Sequence, residues 1–269
     1  MTAPLFSVWK RFTGEDMIPI IDLHTHILPG IDDGAEDLEE SVRMCRIASK
    51  SGVCAMAATS HGNLGELSLK KYKEAYQLLY GRLKIEKIPL KLYAGMELFM
   101  NEDALKKLEK KELLTLNRTS YVLIDFDFEE ELWMVEEYLE QLLDMGYIPV
   151  IAHAERYRFV QEHPEAVYRW VMQLECVIQV NKGSFFGAFG KVEQDMAYSL
   201  LRHNLVHVVA SDTHGSKRRT PDMRLVFEML GEVKGEKYRD LVLSENPGRI
   251  LLGKEIAGFL PRPYKRSRY

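Results

Sequence analysis

Short, almost continuously apolar segments alternate along the chain with longer amphipathic stretches. Strands that are buried on both faces have this continuous apolar pattern, and their alternation with helices is typical of parallel βαβ units. Seven strands are predicted, at residues 18–26, 53–61, 90–98, 121–126, 148–155, 176–181 and 206–214. Helical patterns lie between them, at residues 37–50, 69–86, 130–145, 164–174 and 192–202. The pattern therefore predicts an α/β fold with a parallel sheet.

Length and composition favour one domain. Hydrophobic residues make up 46% of the 269 residues, which is enough for a large core. A single β/α barrel commonly has about 250 residues. We predict a barrel domain over residues 18–257, a peripheral N-terminal segment at 1–17 and a basic tail at 258–269.

Charge and cysteine content argue against several classes of protein. The formal net charge is −4, whereas a nucleic-acid-binding protein usually has a basic face. Cys45, Cys54 and Cys176 have no metal-type spacing, and so sparse a set is typical of a reduced, cytoplasmic protein. No apolar run approaches the roughly 20 residues that a transmembrane helix needs. We expect a cytoplasmic protein with no nucleic-acid partner and no transmembrane segment, and the oligomeric state is left open.

Histidines and carboxylates interrupt the apolar pattern where the predicted strands end. They occur at six of the seven strands, as His24, His26, His61, Glu97, Asp125, His153, Asp212 and His214. In a β/α barrel the carboxyl ends of all strands meet at one face, which is where active sites lie. Side chains two residues apart on a strand point the same way, so the HxH and DxH pairs can each bind one ion. Buried groups of this kind need partners, and a shared cation would satisfy them together.

A single histidine at a strand end is more often a hydrogen-bonded structural residue than a metal ligand. Agreement among six strands at one face favours the metal site. His163 and His203 lie in helical patterns, and His207 begins a strand at the end opposite Asp212. We expect these three histidines to be structural.

The mixture of ligand types indicates the ions. Imidazole combined with carboxylates suits Mn, Fe or Zn, and the absence of cysteine ligands argues against a structural zinc site. Together with Asp33, which lies in an acidic turn beside Asp32, there are nine donor residues. They are too many for one ion, so we expect two or three ions that share a bridging carboxylate. Such clusters lower the pKa of bound water and neutralise the attacking and leaving oxygens in phosphoester hydrolysis.

Six segments carry a resemblance to a known superfamily: DLHTHILPGIDDG, ATSH, GMEL, VLIDF, PVIAHAERY and ASDTH. They resemble the PHP (polymerase and histidinol phosphatase) superfamily. Within it they look most like the manganese-dependent protein-tyrosine phosphatases encoded with bacterial capsule and exopolysaccharide genes. The resemblance covers residues 18 to 255, nearly the whole chain. The HxH and SDxH motifs are widely shared in the superfamily, whereas PGxDDG, AHxERY and the ending SENPGRILLG are narrower.

The resemblance implies a distorted seven-stranded (β/α)7 TIM-like barrel, the PHP fold, with a trinuclear site. It implies a first ion held by His24, His26, Glu97 and Asp212, a second held by Glu97, Asp125 and His153, and a third held by Asp33, His61 and His214. Asp125 stands where the family carries glutamate, which is one methylene longer, so the geometry of the second ion is expected to differ. On the residues alone Asp32 competes with Asp33, and the PGIDDG match favours Asp33.

Two arginines are implied to bind the substrate phosphate: Arg156 in the AHAERY segment, and Arg219 five residues after His214. Guanidinium groups match phosphate oxygens and can stabilise charge in the transition state. On the residues alone an exposed loop arginine is the favoured interpretation of each, and Arg218 competes with Arg219.

The resulting hypothesis is a protein-tyrosine phosphatase in which a metal-bridged hydroxide attacks phosphorus in line. Mn²⁺ is the expected ion, with Fe, Zn, Co and Mg as alternatives. No cysteine begins the Cys-x5-Arg loop of the cysteine-dependent phosphatases. The resemblance implies that the substrate is a phosphotyrosine protein, a membrane-associated tyrosine autokinase of the capsule system.

Three alternative functions are open. The same site suits a phosphatase of a small phosphomonoester such as histidinol phosphate. A metal-binding scaffold without activity would usually have lost ligands, and here the set is complete apart from the change at Asp125. An amidohydrolase-type barrel also opens with HxH but normally adds a lysine on strand four, where this chain has Asp125.

Overall fold

The computed structural model describes residues 18–65 and 67–264. The predicted peripheral segment at 1–17 and residues 265–269 of the basic tail lie outside this range. Eight strands are present in the described residues: β1 (Ile20–Thr25), β2 (Val53–Ala58), β3 (Lys91–Ala94), β4 (Glu97–Phe99), β5 (Tyr121–Asp125), β6 (Ile148–Ile151), β7 (Val177–Asn181) and β8 (Val208–Ala210).

Ten α-helices lie within the same residues: α1 (Leu38–Lys50), α2 (Leu69–Ile85), α3 (Glu102–Glu109), α4 (Leu132–Asp144), α5 (Arg158–Glu162), α6 (Pro164–Gln173), α7 (Lys191–Arg202), α8 (Arg224–Lys234), α9 (Glu236–Asp240) and α10 (Asn246–Leu251). A π-helical segment, Leu241–Glu245, joins α9 to α10. Short 3-10 turns at Leu116–Arg118, Ala154–Arg156 and Ser184–Phe186 complete the helical elements. None of the described helices is long and apolar enough to cross a membrane.

Parallel pairing joins all the strands that the structure describes. β1, β2 and β3 form one sheet, and β4 to β8 form a second sheet in chain order. Isolated parallel bridges join Thr25 to Thr213 and His61 to Glu97, at the edges of the two sheets. The prediction of an α/β fold with parallel strands is confirmed. The hydrogen-bonded ladder is divided between two sheets, so one continuous seven-stranded barrel stays a prediction.

The predicted third strand, residues 90–98, is two strands. β3 pairs with β2 and β4 pairs with β5, so the chain passes from one sheet to the other at Gly95 and Met96. Gly95 allows a close approach, because a Cβ there would lie 3.0 Å from the Leu116 side chain and 3.3 Å from that of Thr59. The break places Glu97 at the start of β4, where its backbone N–H lies 3.2 Å from the carbonyl of Ser60.

The five predicted helices are present as α1, α2, α4, α6 and α7, with ends within two residues of those predicted. The first turn of α1 is acidic, and the Asp37 side chain caps that helix by accepting a hydrogen bond from the Glu40 backbone N–H at 2.8 Å. The other five α-helices were not predicted. Two of them, α5 and α9, are five residues long, which is too short for a helical period to show.

A buried apolar layer lies beneath the polar ends of the strands. The smaller of the two buried clusters contains Leu123 of β5 and Val177 of β7. Two residues further on, the same faces carry Asp125 and Gln179, since strand side chains alternate between faces. The apolar layer thus supports a polar layer at the carboxyl ends of the strands.

Candidate metal centre

The side chains predicted as metal ligands lie at or just beyond the carboxyl ends of strands, with two exceptions: Glu97 begins β4, and Asp33 lies in the turn between β1 and α1. Most of them are removed from solvent: His24, His26, Glu97, His153 and Asp212 are all buried. Asp33 is the exposed member, with 65% of its side chain accessible. The structure therefore brings together residues that are up to 190 positions apart, from His24 to His214.

Glu97 is the centre of the cluster. Its Oε1 lies 3.1 Å from His24 Nε2 and 3.2 Å from His153 Nε2. Its Oε2 lies 3.2 Å from His26 Nε2 and 3.1 Å from His61 Nδ1. Burial raises the pKa of Glu97, but the charge of His24 and the hydrogen bonds from His153, His24 and His26 outweigh burial and leave that pKa well below its usual range. One ionised carboxylate therefore contacts four imidazoles.

The donor atoms fall into three groups, within each of which they lie no more than 4.8 Å apart. The groups are His24, His26 and Glu97; Glu97, Asp125 and His153; and His26, Asp33, His61 and His214. Asp212 lies between the first and third groups, with its Oδ1 3.4 Å from His24 Nε2 and 3.5 Å from His214 Nδ1. Three groups that share Glu97 and His26 suit the three ions implied by the resemblance. The role of each residue as a ligand stays a prediction.

Hydrogen bonds behind the cluster determine which nitrogen of His24 faces it. The backbone N–H of His153 donates to Gln179 Oε1 at 2.9 Å, so that atom is the amide oxygen. The same oxygen lies 3.0 Å from His24 Nδ1, which must therefore carry the proton. The other nitrogen, Nε2, faces the oxygens of Glu97 and Asp212, and it can offer a lone pair to a cation there once it carries no proton. Acceptors that face acceptors in this way are typical of a site that binds a cation.

The electrostatics of the cluster agree with a cation site. Burial lowers the pKa of His61, but Asp33 and Glu97 outweigh it and raise that pKa to about 9. Burial also lowers the pKa of His26, but the hydrogen bonds and negative charges of Asp32 and Glu97 outweigh burial. The pKa of His26 therefore lies well above its ordinary value. The cluster therefore attracts positive charge. Divalent metal ions supply that charge in sites built from imidazole and carboxylate, so the residues present fit a metal cluster.

Both predicted arginines approach the same oxygen of Asp212. Arg219 donates a hydrogen bond from Nη2 to Asp212 Oδ2, and Arg156 Nη1 lies 3.8 Å from that atom. The backbone of Arg219 is left-handed, and its carbonyl accepts a hydrogen bond from the His214 N–H at 3.0 Å. This hydrogen bond closes a turn over residues 214–219, which returns Arg219 to the side of Asp212. Of the two competing arginines, Arg219 is the one that contacts the cluster, and no ion pair of Arg218 occurs in the described part of the chain.

Comparison with known proteins identifies the family. Residues 20–252 match the family model described as capsular polysaccharide synthesis, CpsB/CapC. The chain belongs to the CpsB/CapC family. It is 36% identical over 251 residues to tyrosine-protein phosphatase YwqE of Bacillus subtilis, covering 93% of this chain and 98% of that protein. It is 33% identical over 244 residues to tyrosine-protein phosphatase CpsB of Streptococcus pneumoniae, covering 88% of this chain and 100% of that protein.

Solved structures agree with this family. A structure described as YwqE and CpsB, unique metal-dependent tyrosine phosphatases, has a TM-score of 0.85 at 36% identity, covering 92% of this chain and 100% of that one. A phosphotriesterase homology protein from Escherichia coli has a TM-score of 0.55 at 10% identity, covering 87% and 99%. The second likeness shows the fold alone. The CpsB/CapC family is thus one of metal-dependent phosphatases, which agrees with the donor set described above.

Asp125, which on the resemblance stands in place of a longer glutamate, reaches the second donor group. Its Oδ1 lies 3.6 Å from His153 Nε2 and also accepts hydrogen bonds from the Tyr157 hydroxyl at 2.8 Å and the Phe126 N–H at 2.9 Å. Burial raises the pKa of Asp125. The shorter side chain thus stands farther from His153 than Glu97 does, and two hydrogen bonds hold it there.

Three residues orient the predicted ligands of this CpsB/CapC chain: sequence reasoning missed Gln179 and Asn181 and considered Asp32 only as a competing ligand. Asp32 Oδ2 lies 2.9 Å from His26 Nδ1, Gln179 contacts His24 and His153 as described, and Asn181 Nδ2 donates to Asp212 Oδ2 at 2.7 Å. Gln179 Nε2 in turn donates to Asn181 Oδ1 at 2.9 Å. A signal was present, because Gln179 and Asn181 are two apart on the one predicted strand without a ligand.

The two adjacent aspartates of the acidic turn, Asp32 and Asp33, contact different histidines. Asp33 Oδ1 lies 3.5 Å from both His61 Nε2 and His214 Nε2, whereas Asp32 bonds to the rear nitrogen of His26. His61 and His214 hold the pKa of Asp33 far below its usual value. Asp33 therefore lies where a metal ligand would lie, whereas Asp32 orients the imidazole of His26 from behind.

The three histidines expected to be structural lie outside the donor groups found in the described residues. His163 lies 3.6 Å from Glu165, and His203 Nδ1 lies 2.8 Å from the Ser199 carbonyl oxygen. His207 is buried, and its Nδ1 accepts the Ile178 backbone N–H at 3.1 Å.

Proposed function

We propose that this chain is a manganese-dependent protein-tyrosine phosphatase that acts on a membrane-associated tyrosine kinase of the capsule system. The observation that carries the proposal is the convergence of imidazoles and carboxylates around Glu97, with two arginines at its edge. The names of YwqE and CpsB support tyrosine phosphatase activity, and the family description supports the capsule system. The choice of a kinase as substrate rests on the resemblance described at the start.

The proposed ligand sets follow the three donor groups. His24, His26, Glu97 and Asp212 would hold the first ion, Glu97, Asp125 and His153 the second, and Asp33, His61 and His214 the third. Mixed imidazole and carboxylate ligands suit Mn²⁺, with Fe, Zn, Co and Mg as alternatives. When bound, these ions supply an acidified water and neutralise phosphoryl oxygens.

The protein's own contribution is to orient the phosphate. Arg156 and Arg219 present N–H donors beside Asp212, on the rim of the cluster. Planar guanidinium groups bind phosphate oxygens in pairs and can stabilise charge as the phosphoryl group is transferred. The leaving group is a phenol with a pKa of about 10. It departs more easily than an alkyl alcohol, so the proposal needs no dedicated general acid.

A cysteine nucleophile is excluded by burial. Cys45, Cys54 and Cys176 are all buried, and burial raises the pKa of each thiol to about 12. Thiolate is the nucleophilic form of cysteine, and at neutral pH these thiols stay protonated. The phosphoryl group is therefore transferred to water without a phosphocysteine.

The deciding experiment strips the protein of metal and assays a phosphotyrosyl peptide before and after Mn²⁺ is added, beside His153→Ala. Activity should return with Mn²⁺ in the wild type and stay absent in the variant. Full activity after complete metal removal would refute the proposal. Faster turnover of histidinol phosphate than of the peptide would favour the small-molecule phosphatase. A metal-loaded protein inactive on both would favour a scaffold.

The two neighbouring arginines provide a matched pair. Arg219→Ala should lower kcat/KM about a hundredfold, as loss of a transition-state donor commonly does. Arg218→Ala, which removes the same charge one residue away, should change it less than about twofold because surface charges contribute little. Equal losses would mean that the net charge of the loop matters and the contact with Asp212 does not.

A further inference from the structure

The guanidinium of Arg156 is stacked between two aromatic rings. Its Cζ lies 4.6 Å from the ring centre of Phe128 and 4.4 Å from that of Phe189. Phe128 follows β5, Phe189 lies in the loop between β7 and α7, and Arg156 follows β6. The ring of Phe189 also lies 5.7 Å from the Cζ of Arg219. Residues from three loops thus build one stack beside Asp212.

Stacking and hydrogen bonding use different parts of a guanidinium. The aromatic rings contact its faces, and the N–H donors at its edges remain free for oxygen acceptors. Arg156 Nη1 already lies 3.8 Å from Asp212 Oδ2, and 21% of the side chain is exposed. The stack lines an open cleft of about 550 Å³ that also includes Val192. A phosphate at the cluster can therefore reach the edge of Arg156 while the rings hold its faces.

Both rings are themselves held in place. Phe128 lies 5.9 Å from the His153 ring and 5.7 Å from the Tyr157 ring, measured between centres. Phe189 packs over Gly183, where an added Cβ would lie 3.2 Å from the ring edge. The plane of the guanidinium is thus set by neighbours that are tied to β6 and β7.

A free arginine side chain loses rotamer freedom when it is fixed on a ligand. An arginine that is held in advance avoids part of that loss, which is the benefit of preorganisation. We propose that Phe128 and Phe189 position Arg156 for phosphate binding, and that Phe189 also supports Arg219. This inference rests on the proposed phosphatase function. The two rings are positioning residues, because they act through the guanidinium groups.

A double-mutant cycle tests this inference. Phe189→Leu keeps apolar volume but removes the ring, and it should lower kcat/KM for the phosphotyrosyl peptide about tenfold, as loss of a partly buried cation–π contact predicts. The loss should lie mainly in KM. The same substitution in an Arg156→Ala background should cost less than about twofold, since only the longer contact with Arg219 remains. Phe128→Leu should behave alike, and Phe189→Tyr, which keeps the ring, should restore the wild-type value.

The matched control is Phe186→Leu. Phe186 is an exposed ring on the same loop, and the described residues contain no cation–π contact that involves it. It should have wild-type kinetics, and thermal unfolding of every variant would identify any that fail to fold. Equal losses from Phe189→Leu in both backgrounds, or a Phe189→Tyr variant as weak as Phe189→Leu, would overturn the inference.

A binding measurement separates this inference from the proposed function. Isothermal titration of inorganic phosphate into the Mn²⁺-loaded protein requires no turnover. The Kd should rise about tenfold in Phe189→Leu, and that substitution should change it less than about twofold in the Arg156→Ala background. If the wild type fails to hydrolyse the peptide but this cycle holds, the proposed function fails and the stack stands. If hydrolysis occurs and the Kd is insensitive to the ring, the stack is only structural.

Discussion

The two ends of the same strands bury histidine in opposite ways. Near the start of β8, His207 accepts a backbone N–H from Ile178, and its carbonyl accepts the Asn246 amide at 3.0 Å. At the other end, His26 lies between the carboxylates of Asp32 and Glu97. Both histidines are buried. The neighbours therefore distinguish the two, since one has backbone partners and the other has carboxylates.

This difference reverses the charge that each end favours. Burial lowers the pKa of His207 to about 4, so its ring is neutral. Burial also lowers the pKa of His61, but the neighbouring carboxylates of Asp33 and Glu97 outweigh burial and raise that pKa to about 9. Burial alone thus does not indicate function. A buried histidine that bonds to the backbone has a structural role, whereas histidines grouped with carboxylates form a site that favours bound cations.

Glu97→Gln should have the largest effect at the carboxyl ends of the strands. The substitution keeps the shape of the side chain but removes the charge that four imidazoles contact. We expect kcat/KM to fall by more than about a hundredfold, because residues that only orient ligands already contribute about 10- to 100-fold. Bound metal, measured by inductively coupled plasma mass spectrometry, should fall with it.

The matched control for Glu97→Gln is His207→Gln, which alters a buried side chain at the opposite end of the strands. The control should lose stability yet retain bound metal and activity per folded molecule. A Glu97→Gln protein with full metal content would contradict the central position given to Glu97.

At the amino ends of the strands, the protonation of His207 should make the stability of the fold depend on pH. Its folded pKa of about 4 lies below the ordinary value of 6.5, so protonation favours the unfolded chain. The stability that it contributes is complete above pH 6.5 and is lost as the pH falls towards about 4. A pKa difference of that size corresponds to at most about 3 kcal/mol of unfolding free energy.

Urea unfolding of metal-free wild type and His207→Gln between pH 7.5 and 4 would measure this contribution. Other groups titrate in both proteins, so the informative quantity is the difference between the two curves. The advantage of the wild type should shrink as the pH falls. Parallel curves would show that His207 is protonated without cost and that the two ends are more alike than their pKa values imply.

Local patterns were enough to predict the strands, half of the α-helices in the described residues and the candidate ligands other than Asp33. A continuous apolar run marks a buried strand, and a polar residue at its end is visible without any knowledge of its neighbours. Thus α1 was predicted over residues 37–50, and His24, His26 and His153 were identified as candidate ligands from their positions at strand ends. Their convergence followed from one general rule about parallel strands.

Features that depend on distant partners were not predictable in this way. The apolar run at 90–98 gives no sign of the break at Gly95, where the side chains of Leu116 and Thr59, distant in sequence, approach the backbone closely. Asp32 and Asp33 are adjacent and chemically identical, and only the turn that carries them decides which one faces His26. Arg156 was assigned from a motif, but the rings that hold it come from loops about 30 residues away in each direction.

The smallest expected effect is that of Gln179, which lies near the carboxyl end of β7 beside the proposed ligands but is not itself a proposed ligand. Its amide oxygen contacts His24 Nδ1 and the His153 N–H. Gln179→Leu should weaken Mn²⁺ binding about tenfold, the lower range for residues that orient ligands. Gln179→Glu keeps the acceptor oxygen and should weaken it less. Equilibrium dialysis against Mn²⁺ would measure both, with Gln173→Leu on the exposed end of α6 as the control.

The two results would lead to different views of how the ends of the strands differ. A tenfold loss in Gln179→Leu, partly restored in Gln179→Glu, would mean that β7 orients His24 before an ion binds. The carboxyl-terminal end would then be preorganised by amides as well as charged by carboxylates. Wild-type affinity in Gln179→Leu would mean that the ions themselves orient the imidazoles. The contrast with His207 would then rest on the carboxylates alone, because they would be the sole difference in the surroundings of otherwise similar buried rings.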